Sequence, residues 1–169
     1  MCARRPYTAR MNEHLAHAEE IQRSYALATP AARLRAIRQR LASMHAEMGH
    51  VRLLTVVSAV EALARSLVVH SAGRPASTAE MRYRQFRTTG PVELVEEVLR
   101  LRGAPGAAEK FGRDVWERFE AASQLRDLIV HECTYVDRDG QPHLIAAGTT
   151  VLRGLIELAG LDAGLQAVA

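Results

Sequence analysis

Apolar residues recur at helical spacing along most of this chain. Leu15, Ala18, Ile21 and Tyr25 set one stripe from Arg10 to about Ala28. Thr29-Pro30 then reads as an N-cap followed by proline at the first helical position, where a missing N–H costs nothing. A long helical stretch is expected from there to about His70. In its first half Leu34, Ile37, Leu41 and Met44 form a stripe flanked by Arg33, Arg35, Arg38 and Arg40. Gly49 marks a bend or a boundary. The second half, Val51–Val69, is apolar around most of its circumference, which predicts a central, buried helix.

Ser71–Pro75 breaks the pattern. A short helix is expected over Thr78–Arg87. Another starts at Thr89-Gly90-Pro91 and ends near Arg102-Gly103, and Pro105-Gly106 is the next break. A long helix is predicted from about Ala107 to Cys133, with Val115, Phe119, Ala122, Leu125 and Ile129 facing inward. Leu128 is expected to pack into the bundle with Leu125 and Ile129. Tyr135–Ile145 carries Asp139-Gly140 between short apolar pieces and reads as a small β-hairpin or turn. Thr149 or Thr150 is expected to cap a last helix to about Leu161. The sum is an all-α bundle of four to five main helices, with a flexible tail over 1–9 and one domain over 10–169.

Composition narrows the class. The chain has 169 residues, enough for a hydrophobic core in one domain. Only 5% is aromatic, so the core must be built mainly from Leu, Val, Ile and Ala. The net charge is +3, and Lys110 is the only lysine, so nearly all positive charge is arginine. Mild basicity is compatible with RNA binding without establishing it, since genome composition also raises Arg and Ala together. Cys2 and Cys133 form neither a metal spacing nor a disulfide scaffold, which fits a reducing compartment. No apolar run follows Arg4 and Arg5, and Glu61 and Arg65 interrupt the run Leu53–Val69. Neither a signal peptide nor a membrane span is expected, and the reading is a cytoplasmic protein.

The candidate chemistry lies in Arg126-Asp-Leu-Ile-Val-His131, near the end of the long predicted helix. A guanidinium is a planar fork of donors suited to phosphate, and an imidazole exchanges a proton near neutral pH. Five residues separate them, about 140° around a helix axis, so they do not share a face. Asp127 and His131, at i and i+4, do share one, which would let Asp127 fix the imidazole tautomer while Arg126 reaches in from the side. Gln124 and Tyr135 lie roughly along the same face. A solvent-facing stripe on a core helix is the alternative, with His131 complementing the helix dipole.

Arg-Asp-Leu-Ile-Val-His resembles the Arg-(Asn/Asp/His)-x-x-x-His signature of the HEPN superfamily. Val57-Ser-Ala-Val-Glu-Ala-Leu-Ala-Arg65 resembles the long second-helix pattern of that superfamily, and Val136-Asp-Arg-Asp-Gly140 its turn after the histidine. The resemblance covers roughly residues 49–161. It implies an all-α, metal-independent endoribonuclease of a toxin–antitoxin or antiviral module, needing no cofactor. Two copies would meet to form one composite site. Arg126 would hold the scissile phosphate of single-stranded RNA, and His131 would be general base or general acid. Asp127 would orient His131, and the products would carry 2′,3′-cyclic phosphate and 5′-hydroxyl ends. Some members carry a tyrosine two residues after the histidine that a partner antitoxin modifies. Here that position is Cys133, and Tyr135 is the nearest tyrosine, which puts that mode of neutralisation in doubt.

Three further features stay open. Glu61 either pairs with Arg65 at i+4 or contacts Arg126 and aims its guanidinium. Met81–Arg87 mixes Arg82, Arg84 and Arg87 with Tyr83 and Phe86, a composition suited to single-stranded RNA or to a short helix anchored on the core. His45, His50 and His70 fall at non-matching helical positions, so no metal site is expected. The rival reading is a non-catalytic HEPN-like module that binds RNA, a nucleotide or a protein. A plain dimerising helical scaffold is a third.

Overall fold

A computed structural model describes residues 20–21, 24, 28–46, 49–73, 75–133 and 141–161. Among the described residues the protein is all-α, with seven helices and no strand. They are α1 (Pro30–Ala42), α2 (Gly49–Val69), α3 (Ala79–Phe86), α4 (Pro91–Leu101), α5 (Ala107–Phe111), α6 (Arg113–Glu132) and α7 (Pro142–Leu158). Five are long, and α3 and α5 are short.

α2 is the axis of the bundle. α4, α7, α1, α3 and α6 all pack against it. Leu53, Val56, Val57, Val60, Leu63, Ala64, Leu67 and Val69 are almost fully buried, as a helix apolar on most sides requires. Thr29 caps α1: its hydroxyl accepts from the Ala32 N–H at 3.3 Å, and Pro30 opens the helix. The stretch expected to run from Pro30 to His70 is two helices. A 3₁₀ turn over Ser43–Ala46 ends the first, and Gly49 starts the second. Arg33 does not flank the α1 stripe but is buried within it, at 6% exposure. It stands four residues before Ile37, so the two share a face.

The long helix predicted from Ala107 is also divided. Gly112 adopts φ 88°, ψ 136°, outside any helical region and in the left-handed range that glycine tolerates. The break turns α5 back so that Phe111 stacks on Trp116, with ring centroids 6.0 Å apart. Trp116 meets Phe119 at 5.5 Å. α6 then runs unbroken to the motif. Phe119 and Ala122 are fully buried, with Val115, Leu125 and Ile129 partly so. Leu128, expected in the core, is exposed.

α7 begins at Pro142, well before Thr149. The second arm of the expected hairpin, Pro142–Ile145, is therefore the first turn of a helix, and proline stands at its first position, where its missing N–H costs nothing. Leu144 and Ile145 are buried with Leu53, Val56, Val57 and Ala122, and Leu125 and Ile129 pack on that cluster. This small core seats the motif-bearing end of α6 on α2 and α7. The turn itself, 134–140, lies outside the described residues, as do Tyr135 and the expected tail.

Candidate functional site

Arg126 sits on the flank of α6 that faces α2, and Glu61 faces it from the middle of α2. Arg126 Nη2 donates to Glu61 Oε2 at 2.6 Å, and Arg126 Nη1 donates to Asp127 Oδ1 at 2.7 Å. The other Glu61 oxygen accepts from Arg65 Nη2. Both expected partners of Glu61 are thus engaged at once, one per carboxylate oxygen. Arg65 is fixed in turn by two backbone carbonyls, one at the end of α3 and one beyond it: Nε donates to Phe86 O at 3.1 Å and Nη2 to Thr89 O at 3.2 Å. The chain of contacts runs from the α3–α4 connection through Arg65 and Glu61 to Arg126. A carboxylate with side-chain exposure of 15% would be costly alone on an apolar helix; two guanidiniums compensate it.

Asp127 makes its hydrogen bond to Arg126 and not to His131, so the geometry alters the expected division of labour. Asp127 holds the arginine from the solvent side while Glu61 holds it from the core side. His131 lies one turn further on, exposed, in the last turn of α6. Gln124 is exposed on the same face as His131. Cys133 closes the helix in a left-handed conformation at φ 50°, its N–H bonded to Leu128 O, with an exposed thiol.

The basic segment of α3 divides. Arg82 is buried at 6% exposure. Its Nε donates to Val69 O at 2.6 Å and its Nη1 to Thr78 Oγ1 at 2.7 Å. It ties α3 to the end of α2 and does not present itself to RNA, because the C-terminal carbonyls of α2 need donors. Arg84 is exposed and pairs with Glu80 at 2.8 Å, and Arg87 is exposed at the end of α3. Tyr83 is half-buried and faces a cleft.

That cleft, of about 230 Å³, lies between α1, α2, α3 and α6. Arg33, Arg65 and Arg126 line it with Glu61, Ser58 and Tyr83. A larger groove of about 430 Å³ separates α1 from α2, but its walls are mostly apolar and it does not reach the motif. The charged cleft is the one that meets the motif, through Arg126. It was not legible as a unit, because its walls come from four helices. The sequence points to Glu61, Arg65 and Arg126 as partners, while the burial of Arg33 emerges only in the structure.

His70, at the end of α2, has its pKa lowered, first by burial and then by Arg82 and Arg33; a contact with the Ala28 carbonyl opposes them. No group of three or more His, Cys, Asp or Glu side chains is placed to hold a metal ion among the described residues. No described helix is long and apolar enough to cross a membrane. No protein-family model, curated protein or solved structure matches this chain.

Proposed function

We propose that this protein is a metal-independent endoribonuclease of the HEPN type, acting on single-stranded RNA from a cytoplasmic toxin–antitoxin or antiviral module. The observation that carries the reading is the clamped guanidinium: Arg126 is held by Glu61 and Asp127 one turn before an exposed His131. A fixed guanidinium loses little entropy on meeting a phosphate, and its two bonds to carboxylates leave other N–H donors of its five. Arg126 binds the scissile phosphate and stabilises the charge that grows on it. The ribose 2′-oxygen attacks phosphorus, the bond to the 5′-oxygen breaks, and a 2′,3′-cyclic phosphate and a 5′-hydroxyl result. One His131 removes the 2′-proton and a second, from another copy of the chain, protonates the leaving oxygen. Asp127 acts by positioning Arg126.

The experiment is cleavage of single-stranded RNA by the purified protein in EDTA. His131→Ala and Arg126→Ala should each abolish it with unchanged helical circular dichroism; full activity in either removes the site assignment.

A second reading has one observation in its favour. Leu128 and Val130, inside the motif, are about half exposed, at 48% and 52%, which suits contact with a protein. A non-catalytic module would bind without cutting, and its expression would not arrest growth in a His131-dependent way.

A further inference from the structure

Two guanidiniums share the carboxylate of Glu61, one on each oxygen: Arg65 Nη2 on Oε1 and Arg126 Nη2 on Oε2. A carboxylate that meets one arginine alone favours two parallel N–H···O bonds to it. Glu61 makes a single bond to Arg126, and its other oxygen is taken by Arg65. Arg126 Nη1 goes to Asp127, and its Nε makes no hydrogen bond among the described residues. Charge is balanced in this group, two guanidiniums against Glu61 and Asp127, so what Arg65 adds is geometry.

Arg65 can hold that oxygen because it is itself held from outside the group. Its Nε donates to Phe86 O, and the Nη2 that binds Glu61 also donates to Thr89 O. Both outer acceptors are main chain. Arg65 keeps only 14% side-chain exposure, so water competes little for its donors. A lysine is no substitute: its ammonium is a single point of charge, whereas the guanidinium serves three acceptors from two nitrogens.

We propose that Arg65 is a positioning residue for Arg126. By occupying Glu61 Oε1 it prevents a two-oxygen grip of Glu61 on Arg126, and so keeps Arg126 Nε open to the RNA phosphate. The assignment rests on the ribonuclease reading. Arg65 touches no reacting atom and acts through Glu61.

The test is steady-state cleavage of single-stranded RNA by the full chain carrying Arg65→Met, well below its melting temperature. Misplacing a reacting group by about 1 Å costs on the order of a hundredfold, so kcat should fall at least about tenfold, with a smaller change in KM. A merely structural Arg65 would lower the melting temperature and leave kcat of the folded protein intact. In a Glu61→Gln background the amide has one acceptor oxygen and cannot make the two-oxygen grip. Arg65→Met should then add little to the loss that Glu61→Gln already causes. Arg65→Lys keeps a cation for Oε1 without holding both carbonyls, and its kcat should fall between the parent and Arg65→Met. If Arg65→Met does not fold, the lysine variant decides. Parent-like kcat in the deciding variant, or losses that simply multiply with Glu61→Gln, overturns the positioning role. A crystal structure of the deciding variant reads the geometry without cleavage: Glu61 should take Arg126 with both oxygens in Arg65→Met, and Arg65→Lys should show a displaced Arg126 guanidinium. An unmoved one-oxygen contact overturns the role. The two readings fail separately. A parent chain that does not cleave RNA removes the ribonuclease, while the grip in the crystal keeps Arg65 as the residue that sets Arg126. Cleavage by the parent with parent-like kcat in the variant removes the role of Arg65 only.

Discussion

Glu61 and Arg126 stand 65 positions apart, on different helices, and are joined at 2.6 Å. The bond makes α2 part of the motif on α6. Removing the Glu61 carboxylate leaves two poorly exposed guanidiniums facing each other. Glu61→Ala should therefore destabilise the fold by about 1–3 kcal/mol, the usual cost of orphaning buried donors. Glu61→Gln keeps an acceptor and should lose less. RNA cleavage should fall in both variants, further in Ala. Urea unfolding beside a cleavage assay checks this; unchanged stability in Glu61→Ala would mean that the bridge holds nothing.

His131 separates function from folding. It is exposed and makes no described contact to another side chain, so His131→Ala should change stability by no more than about 0.5 kcal/mol. Cleavage should disappear. Thermal melts and RNA gels on the same preparation give both numbers. A destabilised variant would assign His131 to structure.

Gly148 tests the crossing of α7 over α2. A Cβ there would meet Val56 Cγ1 at 2.7 Å, and Val56 is only 2% exposed with nowhere to retreat. Overpacking costs about 1–3 kcal/mol, while Gly→Ala inside a helix gains about 0.5–1 kcal/mol. The clash wins, so Gly148→Ala should destabilise. In a Val56→Ala background the space is open and the same change should stabilise. A double-mutant cycle measured in urea reads that reversal of sign; its absence would place the two helices further apart.

His70 should make stability depend on pH. Its folded pKa lies below the ordinary value of about 6.5, so the unfolded chain binds its proton first as pH falls. The neutral imidazole suits a half-buried place beside Arg82 and Arg33. Stability from this group is complete above about pH 6.5 and is lost as pH falls through the lowered folded pKa. Melting temperatures between pH 8 and pH 5 should drop at the acid end, and less so in His70→Gln. An identical drop in both would assign the effect elsewhere.

The helices were readable where pattern and punctuation agreed. Thr29-Pro30 and Gly90-Pro91 start helices where proline and a capping position predict it, and the apolar girth of α2 announced the central element. Boundaries failed where a glycine conformation decided. Gly112 divides a stripe that looks continuous, and nothing local reveals a φ of 88°. Asp139-Gly140 points to a hairpin while Pro142 opens α7, so two local signals compete over the same few residues. Within the site, Arg126, Asp127 and His131 stood together in the chain. For Glu61 the sequence offers Arg65 or Arg126 as partner and cannot decide, because a side-chain bond across helices depends on their relative height; the structure shows both. Arg82 looked like a surface cation in the sequence; its burial follows from the carbonyl of Val69, which only packing brings near.

The exposed apolar residue beside the motif bears on assembly. Leu128 precedes His131 by three residues on the same face of α6 and is 48% exposed, although Leu125 and Ile129 around it reach the core. A leucine left to water next to a candidate general acid is what a paired site would cover. With two copies, each Leu128 would lose its exposed surface and each His131 would enter a shared, drier cleft. Leu128→Glu would put a charge into that contact. It should shift the protein to monomer by light scattering and abolish cleavage, with helical circular dichroism unchanged. Val130→Glu, about 160° from Leu128 around the helix, should do less. A Leu128→Glu protein that stays dimeric and fully active would remove this face from the composite site.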